Sequence, residues 1–172
     1  TPLLTPVRRN EVKEETVMLK IETVRSYEEF LALEDVWKRL VDEVPNLTYF
    51  LTWEFTSARW KYFSSDRELY VLTARNEEGK LVGIAPWAIG SGSIGTMRVR
   101  RLEFLCRTEI PFRFEQYILD GEALDIIAHP DYRDDVSQRF LDHLDHNRDQ
   151  WDIVDLAWLT EDSPLRHHLT ST

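Results

Sequence analysis

The spacing of apolar residues predicts strands and helices along most of this chain. Residues 19–24 alternate apolar and polar side chains, which is the period of a strand with one buried face. Ser26 and Glu29 then form a capping-box sequence, and apolar residues follow at spacings of three and four as far as Val44. This pattern predicts one amphipathic helix that ends before Pro45.

A second helix and a hairpin follow. Thr52 is placed to cap a helix over residues 53–63, whose apolar residues lie on two sides, so we expect this helix to be sandwiched. Residues 69–75 and 80–89 are rich in β-forming residues and flank a polar turn, which predicts a β-hairpin. Pro86 cannot donate a ladder hydrogen bond, so we expect a sheet edge or a bulge there.

Residues 90–95 spell G-x-G-x-x-G after a predicted strand, which is half of a dinucleotide-binding fingerprint. The other half is a helix whose N-terminus holds the diphosphate, but residues 98–106 have the pattern of another strand. We therefore interpret residues 90–95 as a flexible hairpin loop.

The last third of the chain predicts a strand, a helix, a strand and the start of a further helix. Residues 107–117 show no clear period, and we assign them no element. The predicted order is β α α β β β β α β and a helical stub, which indicates a mixed α/β sheet. The later elements are a strand at 124–129, a helix from Pro130 to about Asn147, a strand at 151–159, and a stub from Ser163.

Composition and charge narrow the class of protein. The chain has 172 residues, of which 42% are hydrophobic, enough for one domain with its own core. We expect a poorly ordered leader at 1–17 and a domain at 18–172. The net charge is −10 and the isoelectric point is about 5.0, which argues against nucleic acid as a partner. No apolar run is long enough to span a membrane, and the single cysteine fits a reducing compartment, so we expect a cytoplasmic protein.

Several residue groups suggest chemistry but have simpler interpretations. His143 and His146 have a spacing that suits a metal ion, yet they lack a third ligand at a recognisable spacing, so we interpret them as solvated. Cys106 has no catalytic signature beside it and is interpreted as a core residue. The arginines of residues 98–101 are expected to pair with carboxylates, with an anionic ligand as the alternative. The aromatic residues of 53–63 are expected in the core, with a sugar-binding platform as the alternative.

Five segments, in this order of elements, resemble one family. The chain resembles the GNAT acyltransferase superfamily, and more narrowly its CelD-like members, which are linked to cellulose or exopolysaccharide biosynthesis and related to FemAB-type transferases. The resemblance covers residues 18–169 and rests on the segments KLVGIAP (80–86), RLEFL (101–105), LDIIAHP (124–130), WDIVDL (151–156) and EDSP (161–164).

The resemblance implies an N-acyltransferase that moves an acetyl or other acyl group from acetyl-CoA or a similar thioester to an amine or amino sugar, in polysaccharide or cell-envelope biosynthesis. It implies a splayed mixed sheet, in which the pantetheine arm pairs with the backbone of the strand at 124–129. It also implies a base that takes the amine proton. On the matching strand the catalytic candidates are Asp125 and His129, and the cofactor-binding candidates are Ile126, Ile127, Ala128 and Arg133.

The sequence departs from this family at two points. Where the family has a glycine-rich diphosphate loop, residues 129–135 contain no glycine and three aspartates, which repel phosphate. Relatives of this type also run on into a second acyltransferase-like half. We therefore expect either an N-terminal half that works with a second half or a homo-oligomer. The alternative is a degenerate, non-catalytic scaffold or dimerisation domain.

Overall fold

The computed structural model describes residues 18–64, 66–106, 124–156, 159–160 and 162–169. The predicted order of elements is confirmed in these ranges, whereas the leader at 1–17 and residues 107–117 lie outside them. The strands are β1 (Lys20–Val24), β2 (Arg67–Arg75), β3 (Leu81–Ile94), β4 (Met97–Phe104), β5 (Ile127–Ala128) and β6 (Ile153–Asp155). The helices are α1 (Tyr27–Leu31), α2 (Glu34–Glu43), α3 (Trp53–Phe63), α4 (Arg133–His146) and α5 (Pro164–Leu169).

The strands form one mixed sheet, as the sequence predicts. Its order is β1-β2-β3-β4-β6, and β5 pairs with β3. The neighbouring pairs are antiparallel except β4 and β6, which run parallel. The predicted mixed α/β class is confirmed. Within the predicted strand at 151–159, Ile153–Asp155 pairs with β4 and is the part that forms a strand among the described residues.

Strand β3 has two partners in succession on the side away from β2. Trp87 pairs with Phe104 of β4, and the Leu105 N–H donates to the Pro86 carbonyl at 2.7 Å. Nearer its start, β3 pairs with β5 instead, with Ile84 opposite Ile127. Strands β4 and β5 therefore lie end to end along β3.

Pro86 lies inside β3 between β2 and the junction of β4 and β5, so the expectation of a sheet edge or a bulge there is wrong. It is opposite Val71 of β2, and the register shift between these strands falls at Ala74 and Arg75. The N and C=O of one strand residue point to the same side. The Pro86 nitrogen, which has no hydrogen to donate, therefore faces the side where β4 ends and β5 begins.

The predicted flexible loop at 90–95 is a strand. Strand β3 continues through Ile94, which pairs with Met97, and only Gly95 and Thr96 make the turn. Gly95 has a φ of +60°, a conformation that glycine adopts without strain. The chain therefore forms a hairpin of β3 and β4 here, with a two-residue turn in place of the predicted longer loop. The helix that a dinucleotide site requires is replaced by a strand here.

The single predicted helix between β1 and Pro45 is two helices. The capping box at Ser26 and Glu29 is present and starts α1, but the chain breaks at Ala32 and Leu33 before α2 begins. The break lets Phe30 of α1 and Trp37 of α2 meet, with ring centroids 6.1 Å apart. Both side chains are fully buried.

Helix α3 has the predicted bounds but is not sandwiched. Its buried side packs Trp53 against Phe30 and Trp37, whereas Tyr62 and Phe63 are 70% and 55% exposed. The expectation of burial on both sides is therefore wrong. No helix in the described ranges has the length and the apolar character needed to cross a bilayer.

Helix α4 covers the face of the sheet at β3. Phe140 packs edge-on against Trp87, with ring centroids 6.1 Å apart, and both are fully buried. His143 faces the sheet rather than water, because its Nε2 is 3.0 Å from the Tyr70 hydroxyl of β2 and 3.3 Å from Thr23 Oγ1 of β1. Burial lowers the pKa of its imidazole. The solvated interpretation of His143 is therefore wrong.

The expected carboxylate pairing is found for Arg100 and Arg101, and the expected burial is found for Cys106. Arg100 pairs with Asp152 at 3.4 Å, and Arg101 lies 4.0 Å from the buried carboxylate of Glu103, as the pairing expectation requires. Cys106 is a buried core residue, and burial raises the pKa of its thiol to about 11.

Candidate functional site

A cleft opens beside β5. Strand β6 pairs with β4 but not with β5, and β5 has no second partner strand among the described residues. The cleft has a volume of about 510 Å³. Its lining comes from three parts of the chain: residues 44–48 and Leu51 after α2, Asp125, Ile126, Ala128, Pro130 and Arg133 around β5, and Thr160 and Asp162 after β6.

Strand β5 presents unpaired backbone to this cleft. The His129 N–H donates to the Val82 carbonyl of β3 at 2.9 Å, so His129 and Ile127 direct their backbone polar groups toward β3. Successive residues of a strand point these groups to opposite edges. The N–H and C=O of Ala128 therefore point away from β3, on the side where no described strand pairs with them. An extended ligand can pair with Ala128 as a further strand would.

Asp125 lies at one end of this open edge with its carboxylate among hydrogen-bond donors. Its Oδ1 accepts from the Ile126 N–H at 2.8 Å and from Ser163 Oγ at 2.9 Å. Its Oδ2 accepts from Thr160 Oγ1 at 3.3 Å. Burial nevertheless raises the pKa of this carboxyl, against the opposing effect of these bonds and of the Arg133 charge. Two carboxylate oxygens can accept about four hydrogen bonds, so Oδ2 retains accepting capacity.

The wall of the cleft opposite β5 is held by side chains from β5 and α4. Asp125 binds the hydroxyls of Thr160 and Ser163, and Arg133 Nη2 donates to the Asp162 carbonyl at 2.8 Å. Ser163 is fully buried. The segment before α5 is therefore fastened to the start of β5 and to the start of α4.

His129 lies apart from this cleft. Its Nδ1 accepts from the Asp131 N–H at 3.2 Å, so the proton of the neutral ring is on Nε2, which lies 3.7 Å from Glu43 Oε2. Glu43 in turn pairs with Lys80 at 2.8 Å. The imidazole caps the turn before α4 and links it to the end of α2.

The structure thus brings four of the six predicted site residues together. Asp125, Ile126, Ala128 and Arg133 line the cleft, whereas Ile127 is fully buried and His129 is not among the lining residues. Sequence reasoning missed Thr160, Asp162 and the 44–51 segment. Thr160 is 35 residues from Asp125, and no short-range pattern connects two segments that meet only through the fold.

Acetyl-CoA, which the resemblance implies, fits this cleft only in part. The open edge at Ala128 suits the amide-containing pantetheine arm. The start of α4 does not suit the diphosphate, because Asp131, Asp134 and Asp135 flank Arg133 there and the Arg133 guanidinium already donates to Asp162. Asp131 is 83% exposed and carries its charge at the surface. The nucleotide end of acetyl-CoA therefore does not fit the residues present.

Comparison with known proteins gives no family assignment. No family model and no curated protein matches the sequence. Among solved structures, an aminoglycoside antibiotic 6'-N-acetyltransferase from Acinetobacter baumannii is 11% identical, with 88% of each chain covered and a TM-score of 0.43. Glucosamine-6-phosphate N-acetyltransferase from Arabidopsis thaliana is also 11% identical, covering 90% of this chain and 91% of that one, with a TM-score of 0.41. Scores this low assign no function.

Proposed function

We propose that this chain is an N-acyltransferase-type domain whose cleft binds the arm of an acyl thioester along β5. The observation that carries the proposal is the backbone of Ala128, which points away from β3, pairs with no other described strand, and belongs to the lining of a cleft of about 510 Å³. An N–H and a C=O directed at a cleft match the amides of a pantetheine arm. The order of elements and the family resemblance of the sequence support the same proposal.

Asp125 is the proposed proton acceptor. Its carboxyl lines the cleft, and burial raises its pKa toward the range in which a carboxylate serves as a general base. In the proposed reaction the amine nitrogen bonds to the acyl carbon, the carbon–sulfur bond breaks, and the amine proton passes to Asp125. The sulfur leaves as a thiolate, which takes up a proton from water to give the free thiol, and Asp125 returns its proton to solvent. The Ala128 N–H is a proposed donor to a carbonyl oxygen of the ligand.

The finer parts of the proposal rest on the family resemblance of the sequence. The proposed acceptor is a small amine or an amino sugar, in polysaccharide or cell-envelope biosynthesis. The domain is proposed to span residues 18–172 and to act in the cytoplasm, with a second acyltransferase-like half or a second copy of itself. Ile126 and Arg133 are proposed to contact the donor, whereas His129 is the weaker proton acceptor because it lies outside the lining.

The test is an acyl-transfer assay that follows the release of free thiol. Acetyl-CoA and S-acetyl-pantetheine serve as donors, with glucosamine and simple primary amines as acceptors. We expect acceptor-dependent thiol release that falls about 100-fold or more in Asp125→Asn, as is typical when a general base is lost. Glu77→Gln, in the turn after β2, is the control and should retain the activity. Thiol release that is equal in wild type and Asp125→Asn would contradict the role of Asp125.

A scaffold is the second candidate function, and one observation favours it. Three hydrogen bonds already hold the Asp125 carboxylate, as expected for a residue that fastens the chain rather than one that moves a proton. In that case a folded protein releases no thiol with any donor and acceptor pair. If the folded protein binds neither acetyl-CoA nor S-acetyl-pantetheine, a scaffold is the better explanation of its function.

A further inference from the structure

The start of α4 bears on which thioester the cleft accepts. Strand β5 runs through His129 directly into the turn at Pro130–Tyr132 and then into α4. A ligand arm that pairs with Ala128 therefore reaches Pro130 and Arg133, which line the same cleft. The chemical group at the end of the arm next to Pro130 and Arg133 is therefore exposed to the electrostatic charge of the first turn of α4.

The net charge of the first turn of α4 is negative. The N-terminus of a helix contributes about half a positive charge, whereas Asp134 and Asp135 each contribute a full negative charge in the first turn. These two aspartates follow Arg133 directly and lie beside the cleft rather than in its lining. Arg133 is the one cation among the described lining residues, and its Nη2 donates to the backbone carbonyl of Asp162. Asp125 and Asp162 also line the cleft.

The rest of the sequence does not reverse this balance. Residues 107–123 contain two arginines and four acidic residues, and the whole chain has a net charge of −10. A nucleoside diphosphate with a further phosphate would bring several negative charges to this end of the cleft. Like charges that are partly desolvated repel one another over several ångströms.

We infer that this cleft prefers, as its donor, an acyl thioester of a pantetheine arm that lacks the nucleoside diphosphate. This inference rests on the proposed function. The edge of β5 binds the uncharged arm, and the acidic start of α4 disfavours the polyanionic end of coenzyme A. The chain thus selects among thioesters by charge at a position several residues from the reacting carbon.

Calorimetric titration of the whole chain with S-acetyl-pantetheine and with acetyl-CoA tests this inference. At low salt we expect the pantetheine ester to bind more tightly. Added salt should narrow the difference, because it screens the repulsion from the nucleotide end. In Asp134→Asn/Asp135→Asn the affinity for acetyl-CoA should rise about fivefold, with that for the pantetheine ester unchanged.

The matched control is Asp142→Asn/Asp145→Asn, which removes the same charge from the last turns of the same helix. It should change neither affinity appreciably. If acetyl-CoA binds more tightly than the pantetheine ester at low salt, the inference is wrong and the proposed function stands. If neither ester binds to the folded protein, the proposed function fails and the inference fails with it.

Discussion

Asp125 is the residue at which burial, charge and proposed chemistry meet. Its carboxyl is held by a backbone N–H and two hydroxyls, yet burial still raises its pKa. The folded protein therefore binds this proton more tightly than the unfolded chain does. The contribution to the free energy of unfolding is lost as the pH rises from the ordinary value of the carboxyl through its raised value in the fold.

Asp125→Asn removes the unfavourable burial of a charged carboxylate and should therefore raise the free energy of unfolding at neutral pH. The amide oxygen can still accept from Ile126 and Ser163, and the amide nitrogen can donate to Thr160 Oγ1. Asp125→Ala leaves all three partners without the carboxylate and should lose about 1–3 kcal/mol. Denaturant unfolding over the acidic to neutral range measures both, and the advantage of Asn over Asp should shrink as the pH falls. An Asn variant less stable than wild type at neutral pH would contradict the raised pKa.

The sequence identified some residues of the cleft lining and missed others. Asp125, Ala128 and Arg133 line one cleft because they follow one another from the start of β5 into α4, and their functional roles stay predictions. His129 lies on the same segment, but the turn that starts at Pro130 directs its ring to Glu43 instead. Thr160 was not predictable, because its contact with Asp125 depends on how β6 is placed in the sheet.

At the scale of elements, the contact between β3 and α4 positions the site. Gly83 lies in the part of β3 that pairs with β5, and a Cβ there would be 2.5 Å from Cγ1 of Val136 in α4. Glycine is required for this close approach. The start of α4, and with it Arg133, depends on that distance.

Gly83→Ala should therefore destabilise the protein by about 1–3 kcal/mol, the usual cost of overpacking a core. Gly92→Ala is the matched control in the same strand. Its Cβ would meet Nη2 of Arg101 at 2.7 Å, which is the far end of a flexible side chain that can move. Thermal unfolding of the two variants should show a clear loss for Gly83→Ala and little change for Gly92→Ala. Equal losses would mean that α4 does not pack closely on β3.

The segment before α5 is the second element that shapes the cleft. Thr160→Val/Ser163→Ala removes both hydroxyls that bind Asp125. We expect the amides of α5 to exchange with solvent about tenfold faster or more, because two hydrogen bonds of about 0.5–1.5 kcal/mol each are lost. Ser57→Ala on α3 is the control, and exchange in β2 and β3 should be unchanged in both variants. Unchanged exchange in α5 would show that other contacts hold this wall.

Helices and strands were predicted correctly where the spacing of apolar residues stays regular along the chain. They were predicted wrongly where contacts between distant residues decide the local structure. Helices α3 and α4 and the β2–β3 hairpin follow directly from spacing and turn residues. The break between α1 and α2 does not, because it is stabilised by aromatic packing among Phe30, Trp37 and Trp53. Residues 90–95 were expected to form a loop because of their glycines, but pairing with β4 makes residues 90–94 part of β3 and leaves only Gly95 of this segment in the turn.

At the scale of the whole molecule, β3 organises the sheet. It pairs with β2 on one side and with β4 and then β5 on the other. The class of fold and the order of elements could be predicted, because hydrophobic periods report both. The separation of β5 from β6 could not, since it depends on which strands pair. In this pairing the edge of β5 that faces away from β3 has no partner strand among the described residues, and the cleft lies beside β5.

The central claim is that a ligand arm pairs with the backbone of Ala128, and the amide resonance of that residue tests it directly. On addition of S-acetyl-pantetheine to the ¹⁵N-labelled chain, the Ala128 N–H should move downfield and exchange more slowly with solvent. The Ile127 N–H, which faces β3, is the internal reference and should change little. Saturation of the protein with no change at Ala128 would contradict the account.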